Sequence, residues 1–133
     1  MATDKSGKKI LVIDDDIDLL LQVKIHLEST GYTVVTAENE TDGYDMLTAE
    51  RPDLVVTDLM MSSMDGGFKL SHRIKKFDES IPIIIVTGVS GETGIDFDIT
   101  SKEDRMWIKA DTILTKPIRF EQLMREIDRL LKD

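Results

Sequence analysis

Lys9-Ile10-Leu11-Val12-Ile13-Asp14-Asp15-Asp16 is a short β-branched apolar run that ends abruptly in three carboxylates. A run this short and this apolar reads as a strand buried on both faces, the kind a parallel sheet contains. From Ile17 the pattern changes period: Ile17, Leu20, Val23 and Leu27 recur at helical spacing, and Gly31 stands where a C-terminal cap would end the helix. A strand that runs into a helix through acidic residues is the first half of a strand-helix-strand unit, and the rest of the chain repeats that alternation.

Moving outward, 33–36 (Thr-Val-Val-Thr) is a second strand, and Tyr44 and Leu47 mark a helix with Asn39 or Thr41 as its N-cap. Pro52 closes that helix, and 53–57 (Asp-Leu-Val-Val-Thr) is a third strand. Gly66-Gly67 leads into a helix carrying Phe68, Leu70, Ile74 and Phe77, with Lys69, Arg73, Lys75 and Lys76 largely on its other faces. Residues 83–86 are the most strand-like stretch, and 112–115 form a fifth strand. Phe120, Leu123, Met124, Ile127, Leu130 and Leu131 make one apolar stripe of a final helix. Between Gly88 and Asp111 the pattern weakens; a long loop followed by a short helix over 101–109 is expected there. Five strands interleaved with helices predict an α/β, doubly wound, five-stranded parallel sheet with helices on both faces, flavodoxin-like in order, and atypical only in the stretch after the fourth strand.

Composition agrees with one soluble domain. The chain has 133 residues, of which 41% are hydrophobic and 32% charged, enough for one packed core. The absence of cysteine excludes disulfides, thiolate metal sites and cysteine nucleophiles. No apolar run is long enough to span a bilayer, and the basic residues 1–8 precede no signal-like apolar core; they read as a solvated tail, with 9–133 as the domain. A cytoplasmic location follows as the expectation. A formal net charge of −9 argues against direct nucleic-acid binding, which needs a basic footprint.

In an open parallel sheet, ligands bind beyond the carboxyl ends of the strands. Asp14, Asp15 and Asp16 follow the first strand, Asp58 the third, Thr87 the fourth, and Lys116-Pro117 the fifth. Several carboxylates in one crevice repel: two charges about 4 Å apart cost about 4 kcal/mol at an effective dielectric near 20. A hard divalent cation offsets that cost, and Mg²⁺ suits a few carboxylates together with water and phosphate oxygens. A lysine opposite them keeps Asp58 ionised as a nucleophile. Such a set fits phosphoryl transfer.

These residues carry a resemblance. The acidic pair after Ile-Leu-Val-Ile, the block Pro-Asp-Leu-Val-Val-Thr-Asp-Leu-Met-Met-Ser-Ser-Met-Asp-Gly, then Pro-Ile-Ile-Ile-Val-Thr-Gly, then Thr-Lys-Pro, occur in order and each at a strand end. The chain resembles the CheY-like receiver domains of bacterial response regulators, from Lys9 to Leu131. The resemblance implies that Asp58 is the phosphoacceptor, that Asp15 binds Mg²⁺ directly and Asp14 directly or through water, and that Met60 lends its backbone carbonyl. It implies that Thr87 hydrogen-bonds a phosphoryl oxygen and that Lys116 pairs with Asp58. A histidine kinase or histidine phosphotransfer protein is the implied donor. With no further segment after Asp133, output is expected through an unspecified protein partner or by onward transfer to a histidine.

Several departures qualify the resemblance. Ser62 stands where the family commonly has proline, and Ile113 where many members carry the tyrosine or phenylalanine that turns inward during switching. Met60 and Val89 are apolar at positions that tune hydrolysis in the family, which implies slow self-dephosphorylation. The span from Thr87 to Lys116 is longer than usual, which predicts a mobile loop over 88–100 and Trp107 near the output face. The competing reading is a metal-dependent phosphohydrolase working through an aspartyl phosphate. Such enzymes need a second acid just after the nucleophile, where this chain has Met60. The domain is therefore expected to bind and signal rather than act as an enzyme. Asp16 is expected to cap the first helix, and His26 and His72 to be surface or packing residues rather than phosphodonors.

Overall fold

Strand β1 (Lys9–Ile13) is buried from its second residue onward, as a strand covered on both faces must be. Around it the computed structural model describes residues 8–58, 66–87, 111–115 and 118–131, with backbone alone at 66–69 and 87. The chain continues through α1 (Ile17–Ser29), β2 (Thr33–Ala37), α2 (Glu40–Glu50), β3 (Leu54–Asp58), α3 (Gly66–Phe77), β4 (Ile83–Thr87), β5 (Thr112–Thr115) and α4 (Phe120–Leu131). The sheet order is β2-β1-β3-β4-β5, and every neighbouring pair is parallel. The predicted fold class is the observed one.

Alternate residues of each strand feed two cores. Ile10 and Val12 of β1 join Leu20, Val23, Leu123 and Ile127, the inner faces of α1 and α4. Leu11 and Ile13 join Leu47, Leu70 and Ile74, the inner faces of α2 and α3. Fully burying one such side chain stabilises the fold by about 1.5–3 kcal/mol, so this double layer dominates its stability.

Helix ends follow local chemistry. The Asp16 carboxylate accepts from Leu19 N at 3.2 Å, capping α1 as expected. Asn39, not Thr41, caps α2, accepting from Asp42 N at 2.8 Å. Gly31 follows α1 with φ 108°, the left-handed conformation that ends helices. Arg51 ends α2 with φ 47° just before Pro52.

Three expectations need adjustment. Ile17 recurs at helical spacing with Leu20, Val23 and Leu27, yet those three are buried and Ile17 is 62% exposed. It belongs to a second row on α1, with the equally exposed Leu21 and Ile25, that the sheet does not cover. Strands β3 and β4 each extend one residue further than their apolar runs, so Asp58 and Thr87 are the last residues of strands rather than the first of loops. Ladder pairing with the neighbouring strand carries them. The loop and short helix expected over 88–109, Trp107 included, lie outside the described residues, as do residues 1–7.

At the opposite rim, Asp53 accepts from Lys9 N at 2.7 Å, tying β3 to β1. Asp111 accepts from Ile83 N at 2.8 Å and from Lys75 Nζ at 2.9 Å, which joins the entry of β5 to β4 and α3.

Candidate metal and phosphoacceptor site

Register places the site. Ile13 pairs with Thr57 across β1 and β3, so Asp14 leaves its strand alongside Asp58. Asp14 N donates to Ala37 O at 3.1 Å, which also pins the end of β1 to the end of β2. On the other flank Asp58 pairs with Val86, and Thr87 stands one residue beyond, paired with Thr115 of β5. Four strand ends therefore converge, and Lys116 is the residue directly after β5.

Asp14 and Asp58 are 4% and 5% exposed, while Asp15 is open to solvent. One carboxylate oxygen from each of the three lies within 4.8 Å of the others. Asp14 Oδ1 also accepts from Asp16 N at 2.9 Å, which orients that carboxylate as the chain turns into α1. The neighbouring Thr57 hydroxyl is buried and donates to Asp58 O at 3.1 Å. Three carboxyl groups this close, two of them buried and the third at their edge, suit a bound cation. The donors are all oxygens, the set a hard divalent ion such as Mg²⁺ prefers over softer metals.

The structure thus brings together Asp14, Asp15 and Asp58 of the expected set and leaves Asp16 as a cap, outside the cluster. Thr87 is placed by its backbone at the end of β4. Met60 and Lys116 lie outside the described residues, together with Ser62, Val89 and Pro117. His26 stacks on Phe120 at 3.9 Å with 15° between the rings, a packing role. His72 is an exposed residue of α3. Ile113, at the position of the family's switching aromatic ring, is half-buried against the core of α2 and α3. The sequence reading missed one feature, the exposed apolar face of α1 formed by Ile17, Leu21 and Ile25. Its spacing of four residues was the available signal.

A parallel sheet in this order with acids at the ends of its central strands is the architecture of a phosphoacceptor signalling domain. Residues 10–128 match the response regulator receiver domain family, and the chain belongs to it. It is 35% identical over 123 residues to the transcriptional regulatory protein GlrR of Escherichia coli, covering 92% of this chain and 26% of GlrR. The chain thus spans about a quarter of that relative's length. It is 34% identical over 128 residues to protein PilH of Pseudomonas aeruginosa, covering 92% of this chain and 97% of PilH. Among solved structures, the response regulator TrrA of Thermotoga maritima, in complex with Mg²⁺–BeF, superposes with a TM-score of 0.77 at 27% identity, covering 93% of this chain and 99% of TrrA. Among the described residues, no helix is long and apolar enough to cross a membrane.

Proposed function

We propose that Asp58 accepts a phosphoryl group from a phosphohistidine of a histidine kinase or histidine phosphotransfer protein, with Mg²⁺ held by Asp14, Asp15, Asp58 and the backbone carbonyl of Met60. The observation that carries this reading is the cluster itself: two buried carboxylates and a third within 4.8 Å, at the ends of adjacent parallel strands. When bound, the metal neutralises charge on the carboxylates and on the phosphoryl oxygens. An Asp58 oxygen forms the new bond to phosphorus as the bond from phosphorus to the donor's imidazole nitrogen breaks, and that nitrogen keeps the electron pair. Lys116 balances the growing negative charge, and the Thr87 hydroxyl donates to a phosphoryl oxygen. TrrA was captured with Mg²⁺–BeF, a ligand of matching chemistry, which supports the assignment.

Residues 9–133 are the acting unit in this reading and 1–8 a tail. The domain signals by protein contacts in the cytoplasm, without touching nucleic acid or membrane and without turning over substrate as an enzyme. The phosphohydrolase alternative has no observation in its favour. Met60 and Val89 offer no polar group to orient an attacking water, so the acyl phosphate is long-lived. Ile113, packed on the core, replaces the usual aromatic switch with a different route to the output face.

Incubation with acetyl phosphate and Mg²⁺, followed by intact mass, tests the proposal. One phosphoryl adduct is expected, lost in Asp58→Asn and in EDTA. An adduct that persists in Asp58→Asn overturns it.

A further inference from the structure

Among the described residues, the large hydrophobic side chains left exposed are Ile17, Leu21 and Ile25, at 62%, 56% and 57%. All three belong to α1 and recur every four residues, so they form one stripe. His26, stacked on Phe120, marks the side of α1 that faces α4. At roughly 100° per residue, Ile17 and Leu21 lie about half a turn away from His26, on the side toward edge strand β2. There they border an open cleft of about 450 Å³ between α1, the end of β2 and α2. Its other walls carry Glu38, Asp42 and Asp45, all exposed, against the single ammonium of Lys24.

We infer that this cleft docks an amphipathic helix of a partner protein, one with an apolar seam flanked by lysine or arginine. In the cleft the seam would cover Ile17 and Leu21, one turn apart on α1 and so matched to a helix's own i, i+4 anchors. The basic flank would meet the three carboxylates, and every charged residue of α2 is acidic, so charge selects the partner. A second copy of this chain is disfavoured: among the described residues the one basic helix, α3, has Leu70 and Ile74 fully buried, and stripe-on-stripe pairing would bring acidic rims together. The inference does not depend on phosphate chemistry, because the cleft lacks Asp58.

Two synthetic helical peptides test it with the full chain, ¹⁵N-labelled. They share leucines at i, i+3, i+4 and i+7 and differ in carrying lysine or glutamate at the flanks. The lysine peptide is expected to bind one-to-one, shifting amides of 17–25 and 36–46, at least tenfold more tightly than the glutamate peptide. Leu21→Gln, at an exposed position that folding does not need, is expected to weaken it at least fivefold. His26→Ala and Asp58→Asn are expected to leave it unchanged. Equal affinity for the two peptides, shifts centred on another face, or an indifferent Leu21→Gln overturns the inference. Unchanged binding alongside a failed phosphorylation assay would sink the phosphoacceptor reading alone.

Discussion

The carboxylates of Asp14, the residue just after β1, and Asp58, the last residue of β3, approach within 4.8 Å, and both are almost wholly buried. Carboxylates this close repel wherever positive charge does not offset them, so function and stability pull against each other here. Asp58→Asn is expected to raise the unfolding free energy by about 1–2 kcal/mol in EDTA, a fraction of the Coulomb repulsion at this distance. Urea denaturation with and without Mg²⁺ measures it. Wild type is expected to gain stability with Mg²⁺ and the variant far less; equal gains would mean the ion binds elsewhere.

Tyr32 donates its hydroxyl to Asp128 of α4, tying the start of β2 to the last helix. Burial first, and then that hydrogen bond and charge, push its phenol well above the ordinary value near 10. The folded state thus holds Tyr32 neutral where the unfolded chain ionises. Its contribution is complete below about pH 10 and drains away as pH rises toward the folded value, by at most about 1.4 kcal/mol per unit. Tyr32→Phe is expected to cost about 1–2 kcal/mol at pH 8 and to flatten the stability profile between about pH 10 and 11. Denaturation midpoints across that range supply the check.

At the acid end the sign reverses. The Arg129 hydrogen bond holds Glu126 below the usual carboxylate range, with Thr112 assisting, and the Ser80 hydroxyl and amide do the same for Asp78. Both contributions are present at neutral pH and are lost as pH falls through the depressed folded values. Glu126→Gln is expected to cost no more than about 0.5 kcal/mol at pH 7, because the Arg129 end of the pair is more than half exposed. Below pH 4 the difference from wild type should close; a gap that widens on acidification would contradict the assignment.

Gly43 packs so tightly on β1 that a β-carbon there would lie 2.6 Å from Ile13 Cδ1 and 3.2 Å from Cγ1. Alanine would gain about 1 kcal/mol of helix propensity but must displace a side chain that is 1% exposed. Overpacking of about 1–3 kcal/mol wins, so Gly43→Ala is expected to destabilise by about 1 kcal/mol. Removing Cδ1 makes the space, so adding Ile13→Val is expected to recover much of the loss. A double-mutant cycle with no coupling between the two would refute this packing account.

Much of the architecture was legible because it is local. Hydrophobic periodicity marked β1, α4 and the other elements, and Asp16, Asn39 and Gly31 act within a turn of where they stand, so nearby residues alone determine them. Crowding at the strand ends was also readable, since the parallel order directs Asp14 and Asp58 to one rim. Only the tertiary structure decided the rest. Ladder pairing with β4 drew Asp58 into β3, a matter of partners remote in sequence. Ile17 and Leu20 look alike in the sequence, yet one faces solvent and the other the core, because a helix's buried side is chosen by what it leans on. That same choice left an apolar stripe beside an acidic wall built from β2 and α2, a juxtaposition that exists only once those elements pack against the sheet.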